Sequence, residues 1–590
     1  MCGICGVASL HEPLSDGQGE VAAMVAAINH RGPDSRGWHV EKRVALGAAR
    51  LAIIDLHGGD QPIYNEDRTL ACVYNGEVYN YRELRRELLA RGHDLRSETD
   101  SETIVHLFEE DGIDLVRRLN GMFGFALWDS RRETLWLARD RYGIKPIYYH
   151  FDGGTLSFGS EVKCLLATGR VRPELDLGAF TELFTFQNIL SDTSLFKGVE
   201  MVPPGHVLRL DRDGIELIRY WDALPEPSPV SRDEAVAGVR ERFEEGVQAQ
   251  LVSDVEVASY LSGGLDTGAI AAAAARGLDR LTTFATGFDV SGATGREAGF
   301  DERSDAAELA GQIGSHHHEL LLDHHDLDMV LPRLVRHLEE PRMSFSYPNY
   351  LTAGFASRWV KVVLSGAGGD EFFGGYPWRY EFAGRPGFED AYFDYWERLM
   401  PRGELAKAVS ADIDLERPRS VYDGIMGRAE GLSDIDRTLY FESKTFLHGL
   451  LIVEDKLSMA HSLESRVPFL DNGLVDYVLT LPAEVKLHSG RSKDLFRRAM
   501  TVLLPEEVIS RKKTGFTPPQ EAWFRGEQAG YVERTLLSEA ACDRGLFRVD
   551  FVRDVLADHR EGRADRRLLL WTMLCLEWWH RIFVDGEHTT

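Results

Sequence analysis

The second residue is a cysteine, and its place gives it two chemistries at once. Removal of Met1 would leave Cys2 as residue one, carrying a thiol and a free α-amine. An α-amine titrates near ~8, close enough to neutrality to take the thiol's proton, so nucleophile and base share one residue. Cys2-x-x-Cys5 also reads as half a zinc site or a redox pair, but no second CxxC or nearby HxxxH completes either. Far along the chain, residues 255–270 read VEVASYLSGGLDTGAI. Strand-type residues end at Tyr260 and Leu261, Ser262-Gly263-Gly264-Leu265-Asp266-Thr267 breaks the strand, and an alanine-rich run over 269–275 favours helix. A strand turning through two glycines into a helix N-terminus gathers unpaired backbone N–H groups, reinforced by the helix dipole, into an anion cradle. Ser262 and Thr267 add hydroxyl donors, and Asp266 can hold a magnesium ion against phosphates.

The elements that carry these residues follow from composition and pattern. A chain of 590 residues holds two or more domains, and its composition is that of a soluble globular protein. A net charge of −27 argues against a nucleic-acid partner, which needs a basic face. Six scattered cysteines do not form a disulfide framework and predict a reducing cytoplasm. No basic n-region precedes an apolar h-region at the start, and the apolar stretch 568–576 is too short for a bilayer, so no membrane association is expected. It reads as a buried helix packed by Trp571, Trp578 and Trp579. Pro225, Pro227 and Pro229 mark a linker, and Ser231-Arg232-Asp233-Glu234 caps the helix after it. Beyond it strands and helices alternate, which predicts a parallel sheet covered on both faces. One of its strands, 361–364, ends in Ser365-Gly366-Ala367-Gly368-Gly369-Asp370-Glu371. A second glycine-rich, acidic loop at a strand's C-terminal end is where an open α/β sheet places ligands. His316-His317-His318 suggests a metal, but adjacent side chains diverge on strand or helix, so the three do not ligate one ion.

Set beside Cys2, the stretches His30-Arg31-Gly32-Pro33-Asp34, Arg50 to Asp55, Asn75-Gly76-Glu77-Val78-Tyr79-Asn80 and Thr99-Asp100-Ser101-Glu102 resemble, in order, a class II glutamine amidotransferase domain. The SGGLDT loop resembles that of the PP-loop ATP pyrophosphatases, which cut ATP between the α and β phosphates. With Glu454-Asp455-Lys456, Leu463 to Asp471 and Arg511-Lys512-Lys513-Thr514-Gly515-Phe516, the resemblance to glutamine-hydrolysing asparagine synthetases spans nearly the whole chain. It implies a two-domain fold. An N-terminal-nucleophile αββα sandwich of α+β type (2–210) and a linker (211–230) precede a PP-loop α/β synthetase domain (231–590).

The resemblance also implies roles. Cys2 attacks the glutamine side-chain amide, and the Asn75 amide and Gly76 N–H hold the oxyanion. Arg50 pairs with the glutamine carboxylate, Glu77 and Asp100 with its ammonium, and Leu51 and Ile53 complete the glutamine site. Tyr260, Ser262, Gly263, Gly264, Leu265, Asp266, Thr267, Thr286, Ser365, Gly366 and Lys456 bind ATP and its pyrophosphate. Asp266 and Asp370 hold Mg²⁺, and Lys513 is the cation for charge developing on the phosphates. His30, Arg31 and Asp34 are structural or gate a loop, and Glu464 and Arg466 form a buried pair.

The expected reaction takes glutamine, ATP, aspartate and water to glutamate, AMP, pyrophosphate and asparagine. One departure bears on the acceptor: the position after Ser365-Gly366, often glutamate in these synthetases, is Ala367, which moves no proton. Amidation of another carboxylate in a biosynthetic or cell-envelope pathway is the alternative. A β-lactam-forming cyclase would need no nucleophile at position 2, and a non-catalytic regulator would not need so complete a set of residues. The oligomeric state stays open between a single chain and a homodimer.

Overall fold

The computed structural model describes residues 1–290, 297, 300–487, 491–511 and 518–587. Two antiparallel six-stranded sheets form the first half. One runs from Glu200–Met201 through Tyr148–Phe151, Thr155–Gly159, Cys2–Ser9 and Val44–Arg50 to Ser35–Val40. The other runs from Gly214–Arg219 through His206–Asp211, Thr134–Arg139, Gly121–Asp129 and Leu70–Val78 to Ile63–Tyr64. The alternation of Cys2–Ser9 shows how one strand serves two layers: Ile4 and Ala8 join the core between the sheets, while Cys5 and Val7 pack with Val21, Met24 and Val25 of the Gly17–Ala27 helix. The helices Tyr81–Arg91 and Glu102–Asp111 cover the other sheet, which completes an αββα sandwich.

The His206–Asp211 strand pairs with Gly214–Arg219, so the sheet continues beyond residue 210, where the linker was expected to begin. Irregular chain then leads to the Arg232–Ala249 helix, opened by a reciprocal capping box between Ser231 and Glu234.

The second half is built on a five-stranded parallel sheet in the order His316–Leu322, Thr282–Phe288, Val257–Tyr260, Val362–Leu364, Glu464–Arg466. The chain winds outward from Val257–Tyr260 to one edge, then returns to lay Val362–Leu364 on its other side. That reversal opens a crevice at the C-terminal ends of the two central strands. The edge strand Glu464–Arg466 is wholly buried and faces the first domain. Among the described residues no helix is long and apolar enough to cross a membrane.

Candidate active site

Two centres emerge, one in each half. The first lies where Cys2–Ser9 begins. Cys2 pairs in register with Arg50, and its backbone N–H donates to Asn75 Oδ1 at 3.0 Å. The Asn75 Nδ2 group is buried without a hydrogen-bond acceptor, a donor left over beside the cysteine. Only glycine fits at 76, because an added Cβ would lie 2.2 Å from the Met122 carbonyl oxygen. Arg50 is buried and donates from Nη2 to the carbonyls of Ile54 and Asp55, at 3.2 and 2.7 Å. Asp100 Oδ2 accepts from the Tyr74 hydroxyl and the Val78 N–H, both at 2.9 Å.

Met1 is retained here, and Leu51 N–H donates to its carbonyl at 2.8 Å. The Met1 ammonium lies 3.3 Å from the Leu51 carbonyl and 3.2 Å from Glu464 Oε2. Burial opposes its charge, but Glu464, Cys2 and Glu77 outweigh burial and raise its pKa. Glu77 itself is pushed well above the carboxylate range, by burial first and then by Glu464 and Asp100. Three crowded carboxylates therefore hold a place for one cation. Burial also raises the Cys2 thiol against the pull of the neighbouring ammonium. Leu51 and Ile53 are buried in the same core cluster as Met1.

Gln61, which the sequence did not single out, touches Cys2. Its Nε2 donates to Cys2 Sγ at 3.2 Å and to the Tyr74 carbonyl at 2.8 Å, while its Oε1 accepts from Tyr74 N–H at 2.7 Å.

The second centre is a cavity of about 480 Å³ at the crevice between the central strands. Tyr260, Ser262, Gly264, Leu265, Asp266 and Thr267 line its middle, Ser365, Gly366, Ala367 and Asp370 one side, and Thr286, on the neighbouring strand Thr282–Phe288, the other. The Ser262 hydroxyl meets Thr267 Oγ1 at 2.9 Å and accepts from Gly264 N–H at 3.1 Å, which folds the loop over the helix N-terminus. Gly263 stands behind the lining: a Cβ there would lie 2.4 Å from both Arg511 Nη1 and Asp305 Cβ. A Cβ on Gly366 would touch Thr267 Cγ2 at 3.3 Å, so the two glycine loops meet.

Asp266 and Asp370 converge on Lys493, whose ammonium is 2.5 Å from a carboxylate oxygen of each. Burial opposes the Lys493 charge, yet the two aspartates raise its pKa and keep it protonated. Lys493 escaped the sequence reading; the only local signal is its neighbours in Arg491-Ser492-Lys493-Asp494. Its backbone is left-handed, with φ +52°, and its side chain lines the cavity. Lys456, in contrast, is fully buried outside the lining, on Glu339 at 2.7 Å and the Leu338 carbonyl at 2.9 Å, and cannot meet a nucleotide there. Lys513 lies outside the described residues. Glu454, half-buried in the cavity wall, accepts from the Ser465 hydroxyl at 2.6 Å. Burial raises its pKa against the hydrogen bonds of Ser465 and Ser365.

The centres are joined through Arg31. It donates to the Cys2 carbonyl at 3.2 Å, to Glu161 at 3.0 Å and to Asp455 at 2.8 Å, and Asp455 is the next residue after Glu454. Asp34 adds a second cross-link, with Lys361 at 2.7 Å. Glu464 and Arg466 pair at 2.5 Å.

Comparison with known proteins agrees with this plan. Residues 238–581 match the family described as asparagine synthase, and residues 1–221 match the glutamine amidotransferase domain. The chain is 34% identical to asparagine synthetase [glutamine-hydrolyzing] 3 of Bacillus subtilis, covering 88% of this chain and 87% of that one. It is 32% identical to asparagine synthetase [glutamine-hydrolyzing] 1 of the same organism, over 100% and 98% of the two chains. An amidotransferase sandwich and a glycine-loop crevice in a parallel sheet, with relatives of this identity matched over most of the chain, place it in the asparagine synthase family.

Proposed function

We propose that the chain is a glutamine-dependent asparagine synthetase, which hydrolyses glutamine and delivers the ammonia to an adenylated aspartate. The observation that carries this reading is the buried Cys2–Arg31–Asp455 link, which joins a nucleophile site to the wall of a nucleotide-sized cavity within one body.

In the first centre, once Met1 is removed, the Cys2 amine takes the thiol proton and the thiolate attacks the glutamine amide carbon. Glu77 and Asp100 receive the substrate ammonium where the Met1 ammonium lies in this structure, and Arg50 receives its carboxylate. The unpartnered Asn75 Nδ2 and the Gly76 N–H hold the oxyanion. Loss of one such donor typically costs about 3 kcal/mol of barrier. Ammonia leaves, and water releases glutamate from the thioester.

In the second centre the aspartate carboxylate attacks the α-phosphorus of ATP. Backbone N–H groups of the 262–267 loop and the Lys493 ammonium receive the charge passed to pyrophosphate. Asp266 and Asp370 are the residues to hold Mg²⁺: Asp266 Oδ1 is buried with no hydrogen-bond partner, and an oxygen-rich pair suits a hard cation. When bound, the ion supplies further neutralisation of the phosphates. Ammonia then displaces AMP. Ala367 cannot take the proton it sheds, and Glu454, with its raised pKa and its place on the same cavity, is the group that can.

Incubation with glutamine, Mg-ATP and a panel of carboxylic acids, followed by assays for pyrophosphate and AMP, tests the reading. Aspartate-dependent pyrophosphate release is expected. ADP formation, or release that depends on a different acid, would refute it.

A further inference from the structure

Outside both centres, four side chains of the first domain converge as metal ligands do. Glu66 sits in the turn before the Leu70–Val78 strand, His93 follows the Tyr81–Arg91 helix, and His106 and Glu109 occupy one face of the Glu102–Asp111 helix at i and i+3. One donor atom from each lies within 4.8 Å of all the others. His93 Nδ1 is 3.6 Å from Glu66 Oε1 and 3.5 Å from Glu109 Oε2; His106 Nδ1 is 3.4 Å from Glu66 Oε2 and from Glu109 Oε2. Four donors about 2.0–2.2 Å from a tetrahedral zinc ion stand about 3.3–3.6 Å apart, which these separations match.

A second observation points the same way. His106 is only 1% exposed, yet neither ring nitrogen makes a hydrogen bond. A charged imidazole–carboxylate pair would close to about 2.7–2.9 Å, whereas here the polar atoms stand back around a common centre. The outer groups are arranged as for ligation. His93 Nε2 meets Glu110 Oε1 at 3.0 Å, and His106 Nε2 faces Glu102 Oε1 at 3.9 Å, so each imidazole turns Nδ1 inward and Nε2 toward a carboxylate. Asn65 Nδ2 fixes Glu109 Oε1 at 2.9 Å, which leaves Oε2 for the centre, and the Asp94 N–H orients the Glu66 carboxylate through Oε1 at 3.1 Å, so that Oε1 faces His93 and Oε2 faces His106.

We propose that Glu66, His93, His106 and Glu109 form a structural site for a borderline divalent cation of the zinc class. Two imidazoles and two carboxylates suit zinc and its neighbours better than calcium or magnesium, and four protein ligands close the site to catalysis. The ion would tie the 63–70 hairpin to both ends of the connection that carries Asp100.

The test uses the full chain, stripped with a chelator and titrated with Zn²⁺ alone by calorimetry, then with Co²⁺ in the visible spectrum. The expected result is one equivalent bound and intense tetrahedral Co²⁺ bands. Glu109→Gln and His93→Ala should each weaken Zn²⁺ binding 10- to 100-fold or abolish it, and Zn²⁺ should raise the melting temperature of the parent but not of either variant. Both substitutions lie at partly exposed positions, and circular dichroism checks that each variant folds. Asp266→Asn should leave this equivalent bound. Less than one equivalent, a weak octahedral Co²⁺ spectrum, or unchanged affinity in Glu109→Gln and His93→Ala would overturn the assignment.

Discussion

The side-chain amide of Gln61 donates to Cys2 Sγ at 3.2 Å while clamped at both its atoms by the Tyr74 backbone. A donor so fixed favours the thiolate over the buried thiol. A hydrogen bond to a charged group contributes about 1.5–3 kcal/mol, so Gln61→Leu should slow glutamine hydrolysis roughly 10- to 150-fold. Alkylation of Cys2 by iodoacetamide should shift to higher pH in that variant, while ammonium-dependent synthesis stays at the parent rate. An unshifted alkylation profile would reduce Gln61 to a strand brace.

Removal of Met1 is predicted to be necessary for glutamine use. With Met1 present the Cys2 nitrogen is a peptide nitrogen, and the Met1 ammonium fills the acidic recess. Intact-protein mass spectrometry of active enzyme should show the loss of one methionine. A variant with a residue inserted to block that cleavage should release no glutamate, yet still use ammonium salts.

Lys493 is predicted to be as necessary as the aspartates it bridges. Lys493→Ala should lower pyrophosphate release at least 100-fold, since the cavity then loses the ammonium that receives the charge passed to pyrophosphate. Glutaminase activity should persist. A Lys493→Ala enzyme with near-normal pyrophosphate release would remove Lys493 from the site.

The pH dependence tests Glu454. Its pKa is raised by burial, so it becomes protonated at higher pH than an exposed glutamate, and the base form is lost as pH falls through that value. At constant free ammonia, the synthetase rate should therefore decline on the acid side. Glu454→Gln should be slower by 10²- to 10⁴-fold and lack that limb. A Gln variant that keeps the same acid limb would assign it to another group.

Arg31 should matter for stability as well as for coupling. Glu161 and Asp455 are both buried on its guanidinium, and Arg31→Met leaves Glu161 to His30 and Lys163 and Asp455 to Lys145, each one charged hydrogen bond short. Loss of a hydrogen bond to a charged group costs about 1.5–3 kcal/mol, readable as a lower denaturation midpoint at neutral pH. The loss should shrink in acid: His30, Lys163 and Arg31 together outweigh burial and hold Glu161 well below the carboxylate range, so Arg31's share of that stabilisation is present above a free glutamate's pKa and fades as pH falls toward the lowered one.

What could be read from residue order was set by how local each feature is. The SGGLDT turn, the Ser231 cap and the parallel sheet depend on neighbours in the chain, and each stands where the pattern put it. The residues around Cys2 were reached through the resemblance, and strand pairing assembles them. Gln61 and Lys493 were missed because their value arises from distant partners, Tyr74 and Cys2 for one, Asp266 and Asp370 for the other. Lys456 shows the reverse error. A lysine beside a matching motif looks like a phosphate ligand, but one helical position decides whether it faces the cavity or the core, and this one faces Glu339.

Glu464 belongs to the sheet of the synthetase half, yet it closes the recess around the first residue of the other half. A gene split between the two would therefore yield a glutaminase missing one wall of its own substrate pocket. Fission of this enzyme into separately made subunits would demand a new acidic group from elsewhere, which is a reason for the two activities to stay on one polypeptide.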